Sequence, residues 1–169
     1  MALLRNRGPD GTRYRMREKL VSIGDDAWIE NEDGERVLHV DGKALRVRRT
    51  IHIETTSGER VFDVQQRLLH LRATMAIERD GDRVATVHKA VITPLRERWY
   101  IDTKDHGELR VKGNIVDHEY KIERKGQQIA EVSKRWFRVR DTYGIEIAPG
   151  EDDALILTAA VCIDEMARR

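Results

Sequence analysis

The chain has 169 residues, of which 40% are hydrophobic and 36% charged, with a formal net charge of +1. That length suits one domain with a real core. The near balance of 31 basic and 30 acidic residues excludes a protein that holds nucleic acid through a general basic excess.

The first twelve residues, MALLRNRGPDGT, carry no apolar stretch of the kind a secretory signal needs. They read as a flexible tail ahead of a single domain over residues 13–169. From Tyr14 onward the apolar residues come in short alternating runs separated by tight polar turns that contain glycine. The turns fall at Asp33-Gly34, Ser57-Gly58, Asp80-Gly81, His106-Gly107 and Lys125-Gly126. Asp-Gly is a strong hairpin signal, because both central residues of a type I′ turn need positive φ. Between the turns, Met75 and Ile77 alternate with Thr74, Ala76 and Glu78. Trp99 and Ile101 alternate with Tyr100 and Asp102, and Leu109 and Val111 with Arg110 and Lys112. A period of two with one polar face means antiparallel strands with one face in water. The charged fraction, above the roughly 25% usual for soluble domains, is the wet face of those strands and not a sign of disorder.

The tail of the chain breaks the pattern. Ala154 to Ile163 is apolar except for Thr158, and at 100° per residue ten such positions cover every side of a helix. Its β-branched residues also permit one more strand, but the flanks favour the helix. Pro149-Gly150 ends the preceding strand, and Glu151, Asp152 and Asp153 place caps and negative charge at the positive helix end. The run is about half of the roughly 20 residues that span a bilayer, so no transmembrane segment is expected. Cys162, the single cysteine, lies inside it and reads as a buried, inert thiol in a protein of a reducing, cytoplasmic compartment.

A meander of hairpins exposes two edges unless it closes, and a closed sheet needs its interior filled. The one segment apolar on all sides is the C-terminal helix. The expected fold is therefore mainly β: a closed antiparallel barrel wrapped around a central hydrophobic C-terminal helix.

Tyr14-Arg15-Met16-Arg17-Glu18-Lys19, Val40-Asp41-Gly42-Lys43-Ala44, Asp117-His118-Glu119-Tyr120, Val132-Ser133-Lys134-Arg135-Trp136-Phe137, Asp141-Thr142-Tyr143-Gly144-Ile145 and Gly150-Glu151-Asp152-Asp153-Ala154-Leu155-Ile156-Leu157 resemble, in order, the recurring segments of the LURP-one-related family. The resemblance runs from about Arg13 to Ala167. It implies membership of the tubby C-terminal-like group, together with the phospholipid scramblases, and hence a barrel of about twelve strands around the closing helix. Tubby-type domains bind phosphoinositide headgroups, which enters here as analogy alone.

The residues themselves offer no catalytic site. No nucleophile elbow, phosphate-binding loop or dinucleotide fingerprint occurs, and no pair of the six histidines has the i, i+4 spacing of a helical zinc motif. No metal or cofactor is expected. His118, between Asp117 and Glu119, is the most site-like histidine, and its plainer reading is a strand histidine satisfied by a carboxylate. The basic clusters carry more interest. Arg46 and Arg48 would share a strand face, Arg138 and Arg140 would share one with Trp136, and Arg96 and Arg98 flank Trp99. Arginine forks beside an indole suit a phosphate headgroup at a membrane surface. The expectation is a non-enzymatic module, peripheral to the membrane, for an anionic phospholipid headgroup or another phosphorylated ligand. Its expected contacts are Arg46, Arg48, Arg138, Arg140 and Trp136. A nucleic-acid-binding or scaffolding role ranks behind it, and a hydrolase further behind. A solvated exterior with its usual charges is the plainer reading of the same clusters.

Overall fold

A computed structural model describes residues 11–17, 26–43, 50–69, 72–93, 96–137 and 141–167, without the side chains of residues 17, 68, 69, 72, 73, 91–93, 96 and 97. In chain order its strands are β1 (Thr12–Arg17), β2 (Asp26–Asn31), β3 (Arg36–Asp41), β4 (Thr50–Glu54), β5 (Arg60–Leu69) and β6 (Arg72–Arg79). There follow β7 (Asp82–Thr93), β8 (Arg96–Thr103), β9 (Gly107–Asn114), β10 (Glu119–Arg124), β11 (Gln127–Ser133) and β12 (Thr142–Ile147). The helix α1 (Asp153–Ala167) closes the chain. Each strand pairs with its neighbours in sequence, and β1 pairs antiparallel with β12, so the sheet is a closed twelve-strand barrel.

Local chemistry accounts for most of this. Asp80 and Gly81 take φ of 51° and 85°, and Lys125 and Gly126 take 49° and 80°. Both central residues of these turns are left-handed, as the right-handed twist of a hairpin demands. Along the strands, one set of alternate side chains points inward. Ile51 and Ile53, Phe62 and Val64, Val87, Trp99 and Ile101 are all buried, while His52, Asp63 and Tyr100 between them are not.

The helix α1 fills the interior those residues line, and every residue from Asp153 to Met166 is buried. Its start is capped by Asp152, whose Oδ1 accepts the Leu155 amide at 3.2 Å and whose carbonyl accepts the Ile156 amide at 3.0 Å. Thr158, the one polar residue of the apolar run, satisfies its hydroxyl within the helix by donating to the Ala154 carbonyl at 2.7 Å. Cys162 sits in the same surroundings, and burial pushes its thiol well above the ordinary range. The thiolate is the reactive form of cysteine, so this one is inert. The helix runs further than the apolar run does, through Asp164 and Glu165 to Ala167. Both acids are buried. Asp164 lies against a residue from a distant turn: its Oδ1 is 3.6 Å from His118 Nε2.

Candidate anion-binding site

Of the contacts expected from sequence, Arg46, Arg48, Arg138 and Arg140 lie outside the described residues.

Trp136 is not on a strand. β11 ends at Ser133, and Trp136 and Phe137 fold back over the outer wall at Gly144 of β12. A Cβ at Gly144 would stand 2.7 Å from Phe137 and 2.9 Å from Trp136. The guanidinium carbons of Arg13 and Arg135 lie 5.0 and 4.9 Å from the Trp136 ring centroid. Each of these arginines is already held by a carboxylate, Arg13 by Glu146 at 2.7 Å and Arg135 by Glu131 at 3.1 Å. The patch is an arginine–indole stack of balanced charge. Gly144→Ala is expected to cost about 1 kcal/mol, because the two rings must lift off the wall. Thermal unfolding measures it, and an unchanged midpoint would mean the rings do not rest there.

The Arg96–Trp99–Arg98 cluster also resolves differently from its sequence reading. Trp99 is 2% exposed and points into the barrel, so its indole is not on the surface beside the arginine. Arg98, on the other face of β8, is exposed.

His118 sits in the turn between β9 and β10 with φ of 54°, not on a strand. Its ring stacks on Tyr143 with centroids 4.1 Å apart. Three strand histidines do face carboxylates across the outer wall: His39 Nδ1 is 3.2 Å from Glu54, His52 Nδ1 2.7 Å from Asp63 and His88 Nε2 2.7 Å from Asp102.

The outer wall of β8 and β9 holds what the sequence reading missed. Tyr100 is the cross-strand partner of Arg110. Arg98 is the next outward residue on β8, and Lys112 the next on β9. These residues, with Trp99, Val111 and Gly113, line a hollow of about 400 Å³, and among the described residues no carboxylate lines it. Lys112 also stands directly opposite Lys121 of β10, a like-charge pairing that works against stability. Arg110 and Lys112 were legible only as the polar half of an alternating run. The Gly107 turn was the available signal, since it sets which residues of β9 come to lie beside Arg98 and Tyr100.

The molecule is thus a closed antiparallel barrel plugged by its own C-terminal helix, with a basic hollow on its outer wall. Among the described residues no helix is long and apolar enough to cross a membrane. A family model described as LURP-one-related matches residues 12–164, and the chain belongs to that family. It is similar to the X-ray structure of a protein from Arabidopsis thaliana, with 16% identity and a TM-score of 0.67 over 95% of this chain and 94% of that one. At that identity the likeness shows the fold. No curated protein matches the chain.

Proposed function

We propose that this barrel is a non-enzymatic binding module for anionic phosphorylated groups, with a phospholipid headgroup at a membrane surface as the leading case. One observation carries the reading: Arg98, Arg110 and Lys112 converge on a hollow that no carboxylate among the described residues lines. Guanidinium forks bind phosphate oxygens in pairs, and an ammonium adds a compact charge. Tyr100 supplies a hydroxyl and an aromatic edge beside them. The resemblance to headgroup-binding barrels points the same way by analogy.

The test is sedimentation with phosphatidylcholine vesicles, with and without phosphatidic acid, at low salt. Binding is expected only with phosphatidic acid, and it should weaken as salt rises, since exposed charges are screened. Arg98→Glu/Arg110→Glu should weaken it at least tenfold while leaving thermal unfolding unchanged. Absence of binding by the wild type at low salt would end the proposal. Arg138→Glu/Arg140→Glu belongs in the same assay. Were it alone to lose binding, the site would be the sequence-expected cluster and not the hollow.

A further inference from the structure

Arg110 and Lys112 line two hollows, one on each side of β9. The second, about 350 Å³ in size, is also lined by Glu108 and Glu123, which do not line the first. Glu108 meets Arg110 Nε at 3.4 Å and Glu123 meets Lys112 Nζ at 2.8 Å. Glu123 is also the cross-strand partner of Arg110, so it stands beside both cations. The two carboxylates therefore hold from one side the cations that the first hollow presents from the other.

Resting on the reading above, we propose that Glu108 and Glu123 are resident competitors for Arg110 and Lys112, and that they restrict the hollow to phosphomonoesters. An internal competitor lowers the affinity for every anion by the same factor. A phosphomonoester carries about −1.5 to −2 at neutral pH and remains bound after that loss. A phosphodiester headgroup carries a single charge and falls below useful binding. The first pair is exposed, with side chains 63% and 50% accessible, and the second is half-exposed, with Lys112 61% and Glu123 18% accessible. Pairs of that kind are individually weak, so together they are worth roughly a three- to tenfold change in affinity.

Glu108→Gln/Glu123→Gln tests this as a gain of function, which damage to the fold does not mimic. The probes are vesicles of phosphatidylcholine with phosphatidic acid, a phosphomonoester, and with phosphatidylglycerol, a phosphodiester. The wild type is expected to bind the first and not the second. The double variant should bind the first roughly three- to tenfold tighter and begin to bind the second. Glu32→Gln/Glu59→Gln removes the same charge from two exposed positions in the turns after β2 and β4 and should change neither. Wild-type binding with no gain in the Glu108/Glu123 variant would overturn this inference and leave the hollow as the site. An equal gain in the Glu32/Glu59 variant would overturn it too, since net charge would then be the cause. Binding by neither wild type nor variant would remove the hollow and its competitors together.

Discussion

Ile156→Asp is expected to abolish folding. Ile156 is 3% exposed on a helix surrounded by twelve strands. A carboxylate placed there loses its water and finds no partner, which costs several kcal/mol even after relaxation. Each large apolar side chain on α1, among them Leu155, Leu157, Val161 and Ile163, stabilises the fold by roughly 1.5–3 kcal/mol. The whole net stability of a domain is only about 5–15 kcal/mol. Deletion of everything after Gly150 should therefore be at least as severe, because a barrel lined by Ile51, Phe62, Val87 and Ile145 would face water or collapse. Leu157→Ala is the graded version, expected to cost about 2–5 kcal/mol with cooperative unfolding retained. A monomeric Ile156→Asp protein with sharp thermal unfolding and a native far-UV spectrum would show that α1 is not the plug.

The second expected effect lies at the other end of the charge scale. Asp153, in the first turn of α1, is buried, and its Oδ2 accepts a 2.6 Å hydrogen bond from the Tyr14 hydroxyl. Burial pushes its carboxyl from 3.8 up to about 6; the Tyr14 bond opposes that rise, and the neighbouring charges of Asp152 and Glu151 add to it. Between roughly pH 4 and 6 the folded protein therefore holds more protons than the unfolded chain. By linkage, its contribution to stability falls as pH rises through that window. Asp153→Asn keeps an acceptor for Tyr14 and removes the charge. The variant should match the wild type near pH 4 and exceed it at pH 7 by about 1–2 kcal/mol, a figure reduced from the full shift for partial solvation. Tyr14→Phe removes the bond that opposes the rise, so it should steepen the wild-type fall between pH 4 and 6. Denaturant unfolding across pH measures both. If Asp153→Asn instead matches the wild type near pH 4 and is less stable at pH 7, the carboxylate's attraction to the positive helix end outweighs its desolvation.

Binding and stability separate cleanly in this fold. Arg98, Arg110, Lys112, Glu108 and Glu123 stand on the outer wall, while the side chains alternating with them, Trp99, Leu109, Val111 and Ile122, are buried. Substitutions at the hollow can therefore change recognition without disturbing the plugged interior. The stacked patch around Trp136 is different, since Gly144 beneath it belongs to β12, the strand that closes the barrel on β1.

Much of this architecture is written locally. The turn at Asp80-Gly81 needs only two residues that tolerate positive φ. The inward set Ile51, Ile53, Phe62 and Val64 follows from a period of two. The helix from Asp153 follows from a segment apolar on every side behind an aspartate cap. Closure then follows from having one such segment and many half-buried strands. These features are determined by the sequence alone because burial rewards each of them within a few residues.

The gathering of Arg98, Arg110 and Lys112, the folding of Trp136 onto Gly144 and the burial of Asp164 beside His118 were decided by the tertiary structure. Alternation says which face a side chain occupies, but nothing about its neighbour on the next strand. That depends on register, and register shifts at irregularities such as those at Ile53/Glu54 in β4 and Ile122/Glu123 in β10. On the inner wall the hydrophobic pattern constrains the pairing, because a slip of one residue would expose the core. On the outer wall water accepts any arrangement of charge, so the place where cations meet emerges only once the barrel has closed.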